Sequence, residues 1–166
     1  AADAASSIVV ETDGFKMRAL LQRVAWAKVR GRQSEVVTIG PGLLVFLACL
    51  EGDEESDTDA LAQKVAEYRI FPDSEGRTNL SVQESEGEVL VISQFTLAAD
   101  TRKGRRPSFS PALEPNRAKE LVNRFSSALV DKVSRVAQGF FGEEMEVELL
   151  NRGPATYFLE YPCASS

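Results

Sequence analysis

Three short segments combine residue types that could do chemistry on a polar substrate. Ser93–Leu97 (SQFTL) directly follows the apolar run Val89–Ile92. Hydroxyl and amide side chains at a strand end can position a substrate while backbone amides stabilise an oxyanion. Residues 151–156 (NRGPAT) hold a glycine before a proline between two strand-like runs. The third segment, Arg102–Ser110, places four cations within five residues, close to Phe109.

Each segment also has an ordinary structural interpretation. Ser and Thr are common where a strand becomes a loop. Gly153-Pro154 fits a hairpin turn, in which a cis bond before proline is the minority state. The basic segment fits a solvated loop, and the alternative is a contact with phosphates in which Phe109 stacks on a base. Taken alone, none of the three segments indicates a function.

The chain contains no histidine. This excludes Ser-His-Asp and Cys-His catalysis and the commonest zinc ligand. Chemistry must therefore depend on hydroxyls, carboxylates, backbone groups or the substrate itself, and we predict neither a metal nor a cofactor. Cys49 lies in an apolar run and Cys163 near the end of the chain. We interpret them as a buried small side chain and a tail thiol, which fits a reducing compartment.

The bulk composition narrows the class of protein. The chain has 166 residues with 43% hydrophobic and 27% charged residues, the balance of one globular domain. The longest apolar run, Leu43–Leu50, spans eight residues, which suits a central strand and falls short of the ~20 that a membrane helix needs. A net charge of −6 argues against a broad nucleic-acid surface, so any such contact must be local.

Hydrophobic periodicity predicts an α+β domain in the order three strands, helix, two strands, helix, two strands. The predicted strands cover residues 18–29, 35–39, 43–50, 80–82, 89–92, 147–150 and 156–161. We expect a hairpin through Glu84–Glu88 and a turn at Gly153-Pro154 between the last two strands.

Two amphipathic helices are predicted between these strands. Ser56 or Asp57 can cap the first, whose apolar face is Leu61, Val65 and Tyr68. Pro115 opens the second at a position that proline favours. Its apolar stripe is Ala118, Leu121, Val122, Phe125 and Leu129.

Residues 1–16 precede this pattern. They have neither the basic start nor the apolar core of a signal peptide. An expression remnant, a flexible tail and an added strand at residues 8–10 all fit, and we expect a flexible extension before a single catalytic domain at residues 17–166.

Several matches in the same order along the chain resemble the D-aminoacyl-tRNA deacylase (D-tyrosyl-tRNA deacylase) family. Met17–Val24 is similar to the opening strand of that family. Ser93–Thr101 matches one signature and Arg106–Ser110 the next. Residues 151–156 resemble the second signature, Asn-x-Gly-Pro-Val-Thr, with Ala155 in place of valine. The resemblance extends to about Tyr161 and so covers nearly the whole domain.

The resemblance implies a deacylase-like fold, a mixed β-sheet or partly closed barrel of about seven strands with two main helices. It implies hydrolysis of the ester between a D-amino acid and the 3′-terminal adenosine of tRNA. The expected protein is a cytoplasmic homodimer without a cofactor or a membrane contact, with its active sites at the dimer interface.

The resemblance also implies roles for particular residues. The catalytic segment would be Ser93, Gln94, Phe95 and Thr96, with an activated water a better attacking group than Thr96 because no histidine is present. Substrate and adenosine would contact Phe109 and Met145. A cis Gly153-Pro154 turn would enter the partner's site and reject L-amino acids, supported by Arg23, Asn151 and Thr156. The tRNA contacts would be Arg102, Lys103, Arg105 and Arg106.

Two other hypotheses remain open at this point. One is a non-catalytic module on the same scaffold that binds the 3′ end of tRNA. The other is a small-molecule-binding α+β dimer with a merely structural Gly-Pro turn. A trans Gly153–Pro154 bond that faces away from any pocket would favour the latter.

Overall fold

The computed structural model describes residues 16–162, so the predicted extension at 1–16 lies almost wholly outside the described residues, as does Cys163. The strands are β1 (Met17–Arg30), β2 (Val36–Ile39), β3 (Gly42–Ala48), β4 (Phe71–Pro72), β5 (Thr78–Leu80), β6 (Glu88–Ser93), β7 (Arg135–Gln138) and β8 (Glu146–Tyr161). The helices are α1 (Glu55–Glu67) and α2 (Pro115–Leu129), with a 3₁₀ turn at Phe95–Ala98.

The long strand β1 organises a six-stranded mixed sheet. One edge of β1 pairs antiparallel with β2 and then β3, while its other edge pairs antiparallel with β8. Strand β3 continues the sheet through a parallel pairing with β6, and β6 pairs parallel with β7. Strands β4 and β5 form a separate two-stranded sheet. The mixed sheet expected from the family resemblance is confirmed.

The two ends of this sheet approach each other. Arg135 on β7 donates a hydrogen bond of 2.7 Å to the carbonyl of Thr38 on β2. The same guanidinium pairs with Glu88 at 3.0 Å. The sheet is therefore nearly closed, as a partly closed barrel requires. The helices pack on one face, and a second core lies on the other; β3 contributes alternately to both, with Leu43 in the first core and Leu44 in the second.

Both predicted helices are confirmed, with one correction at the start of α1. The N-cap is Glu54, and Asp57 accepts its backbone amide at 2.9 Å from the third helical position. Pro115 is the first residue of α2, as predicted, and the Glu114 carboxylate accepts the amides of Asn116 and Arg117. Within the described residues, neither helix is long and apolar enough to span a membrane.

The hairpin predicted between residues 80–82 and 89–92 is wrong. Strand β5 ends at Leu80 and pairs with β4, whereas β6 lies between β3 and β7. Strands β4 and β7 were missed, and the predicted strands 147–150 and 156–161 are one strand, so the described residues form eight strands where seven were predicted. Strand β7 is only four residues long and forms by pairing with a parallel strand that is distant in sequence. Local periodicity cannot reveal such a pairing.

The turn predicted at Gly153-Pro154 is also wrong, because both flanking runs belong to the single strand β8. Gln22 pairs with Thr156 and Val24 pairs with Asn151, so the four residues 152–155 lie opposite Arg23 alone. The excess chain must leave the ladder as a bulge. Gly153 and Pro154 are therefore the exposed part of a protrusion from one strand rather than the tip of a hairpin.

Candidate active site

A cavity of about 750 Å³ lies where the parallel strands β3 and β6 end. It is closed by the start of α2 and by residues 141–145. Five of the residues predicted for the substrate site line it, namely Ser93, Gln94, Phe95, Phe109 and Met145. Parallel strands deliver their carboxyl ends to the same edge of a sheet, which explains why Ser93 faces a shared cavity.

Thr96 stands apart from this lining. It is exposed, and its hydroxyl accepts a hydrogen bond from Nε2 of Gln94. The amide of Gln94 donates to the Leu47 carbonyl at 2.8 Å, and the amide of Leu97 donates to the Gln94 carbonyl at 3.1 Å. Between them, the amides of Phe95 and Thr96 open the 3₁₀ turn, where amides have no partner within the helix. Of these two residues Phe95 lines the cavity, so its amide is the one that can donate to an oxyanion that develops there.

Two aromatic rings form the outer wall of the cavity. Phe95 and Phe109 meet edge to face, with 5.2 Å between ring centroids and 66° between planes. Phe95 is 60% exposed and Phe109 is 38% exposed, an unusual exposure for large apolar rings. An exposed aromatic face is a stacking platform for a nucleobase.

The charged residues of the cavity are all acidic. Its lining includes Glu114, Glu143 and Glu144 and contains neither lysine nor arginine. Glu114 is already engaged in capping α2. The cavity therefore favours a cationic group over a phosphate.

Sequence reasoning did not assign the remaining wall of the cavity, which includes Cys49, Ala112, Leu113, Ala118 and Phe141. These residues come from segments far apart in the chain, and no local motif marks them. Cys49 is buried as predicted, and burial raises the pKa of its thiol to about 12. The thiol stays protonated at neutral pH and cannot serve as a nucleophile.

The bulge at residues 152–155 is held from both sides but does not line the cavity of its own chain. Arg23 donates through Nε to the Arg152 carbonyl at 3.0 Å and through Nη1 to the Ile70 carbonyl at 2.7 Å. Asn151 donates to the Ala155 carbonyl at 3.1 Å. The Gly153–Pro154 peptide bond is cis. Thr156, by contrast, is an exposed residue of β8 whose ladder partner is Gln22.

The predicted tRNA contacts lie on an exposed loop at residues 101–107, here called the cationic loop. Asp100 and Ser108 close its base. Arg102 pairs with Asp100 at 2.7 Å, and hydrogen bonds from Arg102 hold the pKa of the Asp100 carboxyl well below its usual range. For Lys103, Arg105 and Arg106, residues 16–162 provide no ion-pair partner within 4.0 Å.

No cluster of three or more potential metal-ligating side chains occurs within residues 16–162. The polar groups that line the cavity are hydroxyl, amide, carboxylate and backbone groups beside an aromatic platform.

The nearly closed mixed sheet, the helices on one face and the cavity at the ends of β3 and β6 make the chain an α+β domain with a cavity large enough for a substrate. The family model described as D-Tyr-tRNA(Tyr) deacylase matches residues 20–160. The chain belongs to this family, and it is an enzyme that hydrolyses the ester bond of D-aminoacyl-tRNA.

Relatives and solved structures agree with this assignment. The chain is 51% identical over 143 residues to the D-aminoacyl-tRNA deacylase of Histophilus somni, covering 86% of this chain and 99% of the relative. It is 52% identical over 147 residues to that of Magnetococcus marinus, covering 88% and 97%.

Among solved structures, a protein described as c-Myc DNA Unwinding Element Binding Protein superposes with a TM-score of 0.82 at 32% identity, covering 88% of this chain and 99% of its own. A probable eukaryotic D-amino acid tRNA deacylase superposes with a TM-score of 0.77 at 17% identity, covering 87% and 99%, and shows the fold alone.

Proposed function

We propose that this enzyme hydrolyses D-aminoacyl-tRNA in a homodimer, in which the bulge of one subunit completes the cavity of the other. One observation carries the proposal. Ser93, Gln94 and Phe95 line a single cavity, whereas Gly153 and Pro154 are exposed elsewhere on the same chain. On β8, Asn151, where the bulge begins, is four residues from Val147, which does line the cavity, a separation of roughly 13 Å in a strand. A gate that acts on the substrate must therefore act on a second copy.

The surface of the chain supports such an assembly. Leu150 on β8 is 53% exposed, Phe158 on β8 is 51% exposed and Trp26 on β1 is 38% exposed. Large apolar side chains that are exposed together on one pair of strands mark an interaction surface. A two-fold dimer would bring two equivalent bulges to two equivalent cavities, because its interface uses the same patch on both subunits.

In the proposed reaction, the terminal adenosine stacks on Phe109 and Phe95 while the aminoacyl ester enters the cavity. A water molecule attacks the ester carbonyl carbon, and the amide of Phe95, which lines the cavity, stabilises the resulting oxyanion. The carbon–oxygen bond to the ribose then breaks, and the 3′ oxygen takes a proton. The adjacent ribose 2′-hydroxyl assists this transfer by its proximity. The acidic lining suits the substrate's α-ammonium group.

Chirality is set by the backbone of the incoming bulge. Main-chain carbonyls around Gly153-Pro154 hold the substrate ammonium, and an L side chain runs into this rigid backbone while a D side chain points away. Discrimination by collision does not depend on which amino acid is attached, so one site can accept many D-amino acids. Arg23 and Asn151 support this gate by fixing the carbonyls on either side of it. Thr156 supports it through the ladder pairing with Gln22, directly after the bulge.

The cationic loop binds the tRNA backbone through Arg102, Lys103, Arg105 and Arg106, and the reaction takes place in the cytoplasm. Replacing the four cations with alanine weakens tRNA affinity and flattens its dependence on salt. Unchanged affinity would mean that the loop is only a solvated surface.

The direct test uses the purified full chain with D-tyrosyl-tRNA and L-tyrosyl-tRNA at equal concentrations. We expect rapid release of tyrosine from the D substrate and little from the L substrate. Equal rates on the two substrates would exclude the chiral gate. Binding of tRNA without hydrolysis at any enzyme concentration would instead support the alternative, a non-catalytic module that binds the 3′ end of tRNA.

A second experiment tests whether the gate acts across subunits. One variant carries a damaged cavity (Gln94→Ala with Phe109→Ala), and the other carries a damaged gate (Gly153→Val), since even a Cβ at Gly153 would lie 2.4 Å from Oδ1 of Asn151. Each variant alone is inactive. Unfolding and refolding an equal mixture restores about a quarter of wild-type activity, because half of the dimers are mixed and each has one intact site. No recovery would place the gate within its own subunit.

A further inference from the structure

Residues 94–110 form one unit with an aromatic base and a cationic tip. Phe95 and Phe109 are in ring contact at the base. Above them, Asp100 donates its amide to the Ser108 carbonyl at 2.7 Å, and Ser108 returns its amide to the Asp100 carbonyl at 3.0 Å. These two bonds fix the ends of the cationic loop, and Ser108 is directly followed by Phe109 of the proposed adenosine platform.

The side chain of Asp100 also fixes the interior of the loop. Its carboxylate accepts the amide of Arg102 at 3.1 Å, Nε at 2.9 Å and Nη2 at 2.7 Å. A carboxylate that meets both a backbone amide and a guanidinium fork leaves Arg102 little rotational freedom. Arg102 nevertheless remains 84% exposed at its side chain, and its other guanidinium donors are available to a ligand.

The Asp100–Arg102 pair separates two surface cavities of similar size. One, of about 520 Å³, has Lys16 and Arg18 among its lining residues, together with Glu160, which pairs with Arg18 at 3.3 Å. The other, of about 490 Å³, is lined by Lys103 and Arg106. Both include Asp100 and Arg102 in their walls. The loop cations Lys103 and Arg106, unpaired in the described part of the chain, lie beside a fixed guanidinium and match the repeating negative charge of a phosphodiester chain.

The distribution of charged residues sets the direction in which a phosphodiester chain would cross the protein surface. The charged residues of the catalytic cavity are all carboxylates, and the loop cations begin only beyond the 3₁₀ turn. A substrate with a cationic aminoacyl end and an anionic backbone therefore places the ester inside the cavity and its phosphates over the loop.

We propose that Asp100 is a positioning residue for the substrate: through Arg102 it holds the cationic loop in the shape in which Lys103 and Arg106 contact the phosphodiesters just before the terminal adenosine. This rests on the proposed function, because the adenosine must occupy the Phe95–Phe109 platform. The single-stranded end of the tRNA is thereby aligned before its ester reaches the cavity.

Simple electrostatics makes the opposite prediction. Replacing Asp100 with a neutral residue removes a negative charge from a phosphate-binding loop. If only net charge mattered, tRNA would bind more tightly. If Asp100 positions the loop, tRNA binds more weakly although the loop has become more positive. The sign of the change therefore separates the two roles.

The experiment compares Asp100→Asn with Asp131→Asn, which makes the same charge change at an exposed site outside the loop. Each is assayed with D-tyrosyl-tRNA and with 3′-O-D-tyrosyl-adenosine, which lacks the phosphodiesters. For Asp100→Asn we expect KM for the tRNA to rise about fivefold or more with kcat nearly unchanged, from the loss of charge-assisted hydrogen bonds. The adenosine ester is hydrolysed at the wild-type rate, and Asp131→Asn behaves as wild type on both substrates.

A second variant, Lys103→Gln with Arg106→Gln, keeps the proposal testable should Asp100→Asn fold poorly. It raises KM for the tRNA substrate but not for the adenosine ester. It also lowers the slope of log affinity against log salt concentration by about the amount expected for two phosphate contacts. An unchanged or lower KM for Asp100→Asn, or an equal loss on both substrates, would overturn the positioning role. A wild-type enzyme inactive on both substrates would overturn the proposed function instead.

Discussion

Arg23 stands where the β1–β8 ladder is interrupted, and its side chain replaces the missing backbone contacts. Its guanidinium donates to carbonyls on two segments, at Arg152 and at Ile70, with distances of 3.0 and 2.7 Å. The planar guanidinium holds its donors at a fixed spacing that reaches both carbonyls, whereas the compact ammonium of lysine has no such fork. Arg23 thus ties one side of the bulge to Ile70, while Asn151 holds its other side.

We therefore predict that Arg23→Lys retains the fold but loses activity. Losing one charge-assisted hydrogen bond costs about 1.5–3 kcal/mol, and we expect a fall in kcat/KM on D-tyrosyl-tRNA of about tenfold or more. Urea unfolding and steady-state deacylation measure the two effects. Arg77→Lys, on an exposed loop with only a surface ion pair to Glu75, should change neither. Full activity in Arg23→Lys would show that the bulge needs no such support.

At the scale of elements, the junction between β2, β3 and β6 is where a glycine of the described structure, Gly42, comes closest to the backbone of another segment. Gly42 pairs with Val24 of β1 and with Glu88 of β6. A Cβ at this position would lie 1.8 Å from the backbone oxygen of Glu88. Since β6 carries Ser93 into the cavity, the spacing of these strands also sets the position of the proposed catalytic segment.

Gly42→Ala should therefore destabilise the protein by more than the roughly 1–3 kcal/mol of an ordinary overpacked core. The collision is with backbone, which cannot rotate away. Gly40→Ala is the matched control, because its Cβ would meet a carboxylate oxygen of the Glu88 side chain at 3.1 Å. Urea denaturation of both variants measures the difference. Equal stability of the two would mean that β3 and β6 separate freely.

For the whole molecule, the pH dependence of stability has a contribution from one buried carboxyl. Asp53 is 5% exposed and accepts the amide of Leu50 at 2.7 Å. Burial raises its pKa to about 7, an effect that the hydrogen bond from Leu50 partly opposes. The folded protein therefore holds this proton more tightly than the unfolded chain does. The stability that this provides is complete below about pH 4 and is lost as pH rises through about 7.

Asp53→Asn removes this dependence while keeping an oxygen for the Leu50 amide. We expect the variant to be more stable than wild type at pH 8, with the difference shrinking as pH falls to 5. Urea unfolding of both proteins at several pH values measures the trend. Parallel pH profiles would show that Asp53 is ionised in the folded protein throughout this range.

The sequence by itself determined the features that arise within one segment. The two helices follow from apolar spacing and from Pro115, the central strand β3 from its unbroken apolar run, and the family from signatures around Ser93 and Gly153. Absence of histidine limited the chemistry before any fold was known. Such features are local, so periodicity and residue type suffice to identify them.

Tertiary structure decided what depends on pairing between distant segments. Register with β1 turned a predicted hairpin at Gly153-Pro154 into a bulge of a continuous strand. Strand β7 forms by pairing parallel with β6, and its four residues show no clear hydrophobic pattern of their own. Cys49 and Phe141 became walls of the same cavity as Ser93, and Thr96 was left outside it. Pairing and cavity walls depend on contacts across the chain, and these exist only once the sheet has formed.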